Sequence, residues 1–276
     1  MTKTVLITGC SSGIGAATAA RLAGSGWDVW ATARRPETLT ALADAGCRTL
    51  ALDVTDEASM TSAVATVREV SGRIDGLVNN AGYSQSGALE SLDVADVRRQ
   101  FETNVFGLLR LTQLVLPAMR EQRSGRVVNI GSMGGKLTFP GGGAYHASKY
   151  AVEALSDALR YEVAGFGIKV VLVEPGLITT GFEAAVAAGM PTGEGPYQEF
   201  NAHVQAATAA AYDGPMVRFG GPPEAVAAVV EKALTKARPK PRYTVTVSAP
   251  AAMAARRVLG DRGWDLAMRA QFPRPE

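Results

Sequence analysis

A tyrosine and a lysine four residues apart can share one helix face, one turn from each other, and Tyr145-His146-Ala147-Ser148-Lys149 has that spacing. The chemistry such a pair offers is proton transfer. A phenol ordinarily titrates near about 10, and a nearby ammonium favours the phenolate. Lowering it by roughly three units corresponds to about 4 kcal/mol of differential interaction. Tyr145 would then serve as acid or base near neutral pH. Ser132, thirteen residues earlier, adds a hydroxyl that could hold a substrate oxygen at the same spot. An ordinary amphipathic helix could also carry this tyrosine and lysine, so their meaning depends on the elements that position them.

Those elements alternate. Short β-branched runs at 4–8, 27–33, 49–52 and 76–79 read as strands, and between them 13–23, 36–44 and 56–70 have helical spacing. Along 94–120 the positions Val97, Phe101, Val105, Leu108, Thr112, Val115 and Met119 recur every three or four residues, which predicts one long helix. A strand at 126–130, a helix at 144–164 and a strand at 168–173 follow, then a helix at 223–236, a strand at 243–247 and one or two terminal helices. This rhythm predicts an α/β fold: a doubly wound parallel sheet of the Rossmann type, covered by helices on both faces. Residues 177–221 break the rhythm, being long, rich in Ala and Gly and punctuated by Pro191 and Pro196. A connection of that length inside a compact domain is usually functional, and here it reads as a substrate-covering segment. Nothing divides the chain, so residues 1–276 are expected to form a single domain.

The first strand-to-helix turn, Thr8-Gly9-Cys10-Ser11-Ser12-Gly13-Ile14-Gly15, is placed to bind a phosphate. Glycines let backbone approach a pyrophosphate, and the N–H groups of a helix N-terminus face it. Its spacing is Gly-x-x-x-Gly-x-Gly. Ligands of open α/β sheets lie outside the carboxyl ends of the strands, where this chain has Arg34-Arg35, Asp53-Val54 and Asn79-Asn80-Ala81-Gly82. Each could be a simple turn or capping residue, but together they converge on one edge.

Composition removes other classes. A 47% hydrophobic, 20% charged chain with net charge +2 is ordinary for a globular protein, and its scattered Lys and Arg form no nucleic-acid groove. Cys10 and Cys47 make no disulfide framework and read as reduced thiols of a cytoplasmic protein; His146 and His203 lack metal-ligand spacing. No targeting segment or membrane span is expected, and the Ala-rich stretch at 249–255 reads as a packed terminal helix, not a membrane-surface one.

In order and spacing, the glycine turn, Asp53, Asn79-Asn80-Ala81-Gly82, Asn104, Ser132, Tyr145-x-x-x-Lys149 and Pro175-Gly176-Leu177-Ile178-Thr179-Thr180 resemble the classical short-chain dehydrogenase/reductase family from Thr8 to Thr180. The resemblance implies that Tyr145 exchanges the proton at the substrate oxygen. Lys149 would lower the tyrosine pKa and hydrogen-bond the nicotinamide ribose, and Ser132 would position the carbonyl or hydroxyl. Asn104 would hold a water in a proton relay to Lys149; otherwise it is a polar kink in a long helix. It further implies cofactor contacts at Gly9, Ser11, Ser12, Gly13, Ile14, Gly15, Asp53, Val54, Asn80, Ala81, Gly82, Tyr145, Lys149, Pro175, Gly176, Ile178 and Thr180, and a homodimer or homotetramer. Thr8-Gly9-Cys10-Ser11-Ser12, Ala31-Thr32-Ala33-Arg34, Ala147-Ser148-Lys149-Tyr150-Ala151-Val152-Glu153 and Arg242-Tyr243-Thr244-Val245 resemble the hydroxysteroid and retinol dehydrogenase branch, which implies a bulky apolar carbonyl or alcohol substrate. Met133, Phe139, Leu177 and Phe182 fall near the expected pocket mouth, or serve core packing alone.

The cofactor is expected to be NADP(H). Counting from Gly15 to the end of the second strand reaches Ala33, which cannot make the ribose 2′-hydroxyl bond of NAD-preferring folds, and Asp28 lies at the wrong end of that strand. Arg34 and Arg35 follow, and a guanidinium matches phosphate oxygens; Ser12 could add a hydroxyl. The expected activity is therefore an NADP(H)-dependent oxidoreductase interconverting a ketone or aldehyde with an alcohol. Two rivals are a nucleotide-sugar epimerase or dehydratase, which the glycine spacing disfavours, and a redox-sensing binding protein, which would be expected to lack Tyr145 or Lys149.

Overall fold

The computed structural model describes residues 2–181, 186, 189–191, 193–213, 218–272 and 274–275. Among them, seven strands form one sheet: β1 (Thr4–Ile7), β2 (Asp28–Ala33), β3 (Arg48–Ala51), β4 (Gly76–Asn79), β5 (Gly125–Ile130), β6 (Ile168–Pro175) and β7 (Arg242–Val245). Their spatial order is β3-β2-β1-β4-β5-β6-β7, with every pairing parallel. The order reverses between β1 and β4, which opens a crevice at the carboxyl ends of those strands.

Successive strand residues serve opposite faces. Val5 and Ile7 of β1 join one core with Val29, Val78, Val128 and Val171, closed over by α1 (Gly13–Gly24) and α8 (Pro223–Thr235) through Leu22, Val226, Val230 and Leu234. Leu6, between them, joins the opposite core with Leu77, Val127 and Val170. That face is covered by α3 (Glu57–Ser71), through Met60, Val64 and Val67, and by α5 (Leu108–Glu121), through Leu111, Val115 and Met119. Short α2 (Thr40–Asp44) follows a 3-10 turn over Pro36–Leu39, so the helix expected from residue 36 starts in tighter form. The Asp56 carboxylate caps α3, accepting from the Ser59 N–H at 2.9 Å, and Gly72 ends it at φ 72.

The long helix expected over 94–120 is two helices in different register. α4 (Val94–Phe101) runs into a π-helical turn over Glu102–Gly107 before α5 begins. Ahead of this turn the inward position is Gln100, fully buried and bonded to the Tyr83 carbonyl at 3.1 Å, while Val97 and Phe101 are half-buried. π-Turns often sit at functional sites, and this one carries Asn104.

Further α-helices among the described residues are α6 (Gly143–Glu162), α7 (Gln198–Asp213) and α9 (Ser248–Gln271), the last kinked at Gly260. Among the described residues, no helix is long and apolar enough to cross a membrane.

Candidate active site

The glycine turn has the geometry that its sequence demands. Gly9 and Gly13 have φ of +71 and +56, a region where side chains are strained. A Cβ on Gly15 would meet the Gly9 carbonyl oxygen at 2.2 Å, so the start of α1 packs against its own entry turn only because residue 15 is glycine. Ser12 occupies the cap position of α1 in extended backbone, its hydroxyl makes no capping bond, and no acid stands in the first helical turn. That leaves a donor-lined cradle suited to a pyrophosphate.

Asn80 has work of its own within the fold. Its side-chain N–H groups donate to the carbonyls of Thr8 (2.9 Å) and Gly9 (3.0 Å), tying the β4 end to the glycine turn. Thr8, read from the sequence only as the start of the glycine turn, locks the same junction. Its Oγ1 accepts from the Asn80 and Ala81 N–H groups, each at 3.0 Å. A polar β-branched residue closing the first strand was the available signal. Asp53 turns its carboxylate on Thr55, accepting from its N–H at 2.9 Å and its hydroxyl at 2.7 Å, and buried Val54 supports the π-turn. A Cβ on Gly107 would lie 2.3 Å from the Val54 oxygen. Ala33 ends β2 as a buried residue, with Arg34 and Arg35 exposed beyond it. Asp28 is occupied at the other end of that strand by Arg48 and Ser71. Gly176 follows β6 and is pressed against Ser248 and Thr246, Ile178 bridges to Gly221, and Thr180 stands over Gly13, 3.1 Å from where its Cβ would be.

Ser132, Tyr145 and Lys149 come together beyond β5. Ser132 caps a 3-10 turn over Met133–Gly135, its Oγ accepting the Gly134 N–H at 3.0 Å, and it also hydrogen-bonds the Tyr145 phenol. Lys149 is buried, donates to the Ile130 carbonyl at 2.9 Å and lies 5.8 Å from the centre of the Tyr145 ring. Burial pushes its pKa down to about 8. The expected lowering of the phenol is not what the protein alone displays. Burial raises the Tyr145 pKa above its ordinary value and outweighs the opposing Ser132 hydrogen bond. The reason is that desolvation acts on both members of the pair, and the ammonium is engaged by a backbone carbonyl.

Asn104 projects from the π-turn into the same region. Its Oδ1 accepts from the Tyr83 N–H (3.0 Å), and its Nδ2 donates to the Tyr83 carbonyl (2.9 Å) and the Ser148 hydroxyl (3.1 Å). A Cβ on Gly82 would lie 3.0 Å from Asn104 Oδ1 and 3.8 Å from Lys149 Nζ, so the two side chains border one spot.

One turn beyond Lys149, Glu153 is buried against Lys136 (2.7 Å) and Arg242 (3.2 Å). Its neighbour Glu174 is pushed up to about 7 by burial and by the adjoining Glu153 carboxylate. Sequence reading did not single out this network, whose members lie far apart along the chain.

The segment 177–221 is closed at its ends by the Gly221 N–H donating to Leu177 (3.0 Å) and the Thr179 N–H donating to Gly221 (3.1 Å). Within it, Asn201 accepts from the Ala88 N–H at 2.8 Å and Gln85 donates to Gly189 at 2.5 Å. Beside it runs a groove of about 810 Å³ lined by Leu89, Phe139, Tyr150, Phe200, Trp264 and Met268 among others. Neither Ser132 nor Tyr145 lines this groove, which reaches α6 at Gly143, two residues before Tyr145. Of the four residues expected at the pocket mouth, Phe139 lines it, Met133 and Leu177 are half-buried near the strand ends, and Phe182 lies outside the described residues.

A seven-stranded sheet with this order, a glycine turn after β1 and a tyrosine–lysine pair after β5 is the architecture of a nicotinamide-dependent oxidoreductase. The family model for short chain dehydrogenases matches residues 3–191, and the chain belongs to that family of oxidoreductases. Oxidoreductase BOA17 of Botryotinia fuckeliana (strain B05.10) is 39% identical over 253 residues, 89% of each protein. The NADPH-dependent 3-dehydrocapnine reductase of Ornithobacterium rhinotracheale is 34% identical over 270 residues, 94% of each. The crystal structure of a short-chain dehydrogenase from Streptomyces avermitilis superposes with a TM-score of 0.79 at 37% identity, covering 98% of both chains.

Proposed function

We propose that this chain is an NADP(H)-dependent oxidoreductase that interconverts a ketone or aldehyde with an alcohol on an apolar substrate. The observation that carries this reading is the gathering of Ser132, Tyr145 and Lys149 beside the glycine turn, at the edge where open α/β sheets take ligands. The cradle at Gly9, Gly13 and Gly15 would hold the pyrophosphate, and Arg34, Arg35 and Ser12 the 2′-phosphate. Asp53, Val54, Ala81 and Gly82 would border the adenine and ribose, and Pro175, Gly176, Ile178 and Thr180 the nicotinamide. A bound nicotinamide would supply or accept the hydride.

The protein's part is the proton. With its pKa raised, Tyr145 is a phenol at neutral pH, the form that carbonyl reduction needs. Tyr145 gives its proton to the substrate oxygen, and the Ser132 hydroxyl stabilises the developing alkoxide. Lys149 then lies close to the phenolate that remains. Asn104, fixed by Tyr83 and Ser148, holds the spot next to Lys149 through which a proton returns.

The described part of segment 177–221 would cover the substrate, and the aromatic lining of the adjoining groove suits a bulky apolar one, as does the likeness to the hydroxysteroid and retinol dehydrogenase branch. The test is oxidation of NADPH by purified protein against steroid, retinoid, aromatic and aliphatic carbonyl compounds. Turnover of apolar members is expected, and inertness across the panel despite tight cofactor binding would refute an enzymatic role.

An assembly is also expected. Phe106 on the π-turn and Tyr150 and Tyr161 on α6 are 51%, 44% and 89% exposed. We propose that these helices pair across a two-fold axis in a dimer or tetramer. Sedimentation at micromolar concentration should show that species, and a lone 28.8 kDa particle would contradict it.

A further inference from the structure

We infer that His146 is a positioning residue: it holds Ser132 in line with Tyr145 through the backbone of Gly134. The inference rests on the proposed reaction. His146 Nδ1 lies 3.1 Å from the Gly134 carbonyl oxygen. A carbonyl only accepts, so Nδ1 carries the hydrogen. The N–H of the same glycine donates to Ser132 Oγ at 3.0 Å, and Ser132 hydrogen-bonds the Tyr145 phenol. One residue thus links the imidazole to the reacting hydroxyls.

The surroundings are shaped to the ring. A Cβ on Gly134 would fall 2.3 Å from Nδ1, and one on Gly142 would fall 2.5 Å from Nε2. Two loops therefore close on the imidazole only because each presents a glycine. Tyr145 contacts the ring edge-on at 5.6 Å between centroids, and Phe139 lies at 6.0 Å on another side. His146 is 7% exposed and burial holds its pKa down to about 4, so the ring stays neutral through any ordinary assay pH. The far end of the same turn is held separately, by the Lys136–Glu153 ion pair at 2.7 Å. His146 holds the Ser132 side.

A histidine that merely fills the core would cost stability without touching this chain of hydrogen bonds. Leucine and asparagine have nearly the same shape, but asparagine presents an N–H where Nδ1 stood. The experiment measures kcat, with NADPH and an aromatic ketone that the parent reduces, for His146→Leu, His146→Asn, Ser132→Ala and Ser132→Ala/His146→Leu. His146→Leu is expected to lower kcat about tenfold, the scale of one hydrogen bond, with the NADPH KM within about twofold. His146→Asn should recover to within about threefold of the parent. On the Ser132→Ala background, His146→Leu should cost less than about twofold more, because the residues act as one unit. In alcohol oxidation, which needs the phenolate, the rising limb of the His146→Leu pH profile should move to higher pH, since a misplaced Ser132 no longer favours that form. Equal losses in Leu and Asn, multiplying effects in the double variant, or an unmoved limb would overturn the inference. If His146→Leu does not fold, His146→Asn decides: near-parental kcat supports the inference, and kcat as low as that of Ser132→Ala overturns it. A Ser132→Ala enzyme with parental rate would overturn the proposed reaction, and this inference with it. A damaged Ser132→Ala enzyme beside an undamaged His146→Leu enzyme would overturn this inference alone.

Discussion

Tyr145→Phe is expected to lower kcat by about 10²- to 10⁴-fold, the usual worth of a positioned general acid, while cofactor binding survives. Phenylalanine keeps the ring and hence the edge contact with His146, 5.6 Å between centroids. It removes the phenol hydroxyl that Ser132 engages. Both the acid and the hydrogen bond vanish while the packing of α6 stays. Lys149 keeps its bond to the Ile130 carbonyl, 2.9 Å, so a ribose contact from its ammonium is not lost with the phenol. Steady-state kinetics together with NADPH fluorescence titration separates the two effects. Rates within about threefold of the parent would remove Tyr145 from the mechanism.

Arg34→Ala is expected to weaken NADPH by about 10- to 150-fold, the scale of one or more charge-assisted hydrogen bonds worth about 1.5–3 kcal/mol, and to leave NADH nearly unaffected. Arg34 is exposed immediately past β2, with Ser12 across the glycine turn making no capping bond. In the proposed site both would meet a phosphate at the ribose 2′ position. The companion change Ala33→Asp reads from the sequence as a simple reversal of preference, because a carboxylate repels phosphate and accepts a ribose hydroxyl. The structure adds a cost. Ala33 is 6% exposed and packs in the core with Leu39 and Leu42, so a charge introduced there is partly desolvated. The double variant should favour NADH but melt at lower temperature than the parent. Values of kcat/KM for both cofactors decide the matter, and a parent that prefers NADH, or an Arg34→Ala enzyme weakened equally toward both, would defeat the assignment.

How far the chain could be read follows from where its information is local. β1 and β4 were legible because the short apolar runs Val5-Leu6-Ile7 and Leu77-Val78 stop abruptly before Gly9 and Asn79-Asn80. The glycine turn was legible because its glycines are demanded locally: Gly9 and Gly13 have positive φ, and a Cβ on Gly15 would meet the Gly9 carbonyl oxygen. Tyr145 and Lys149 could be singled out through helical spacing, and Ser132 through its distance of thirteen residues before Tyr145 and the family resemblance. The π-turn was not, since apolar positions three and four apart look alike whether or not a residue has been added between them. Only Gln100, polar and fully buried, betrays the shift. The work of Asn80 was hidden because its partners, Thr8 and Gly9, are some seventy residues distant in the chain (|i−j| of 72 and 71). For the same reason the sign of the Tyr145 shift escaped the sequence: burial is a property of the assembled site.

The π-turn at 102–107 can be restated as arithmetic on the chain. Each residue advances an α-helix by about 100°, so one surplus residue leaves everything before it rotated by that amount against everything after. α4 and α5 are therefore two correctly phased texts joined by a one-letter frameshift, and Asn104 is written inside the shift. Removing a single residue from this turn would restore an uninterrupted helix, improving local hydrogen bonding while withdrawing the asparagine from Tyr83, Ser148 and the neighbourhood of Lys149. The helix keeps its imperfection because the site, and not the helix, sets the count.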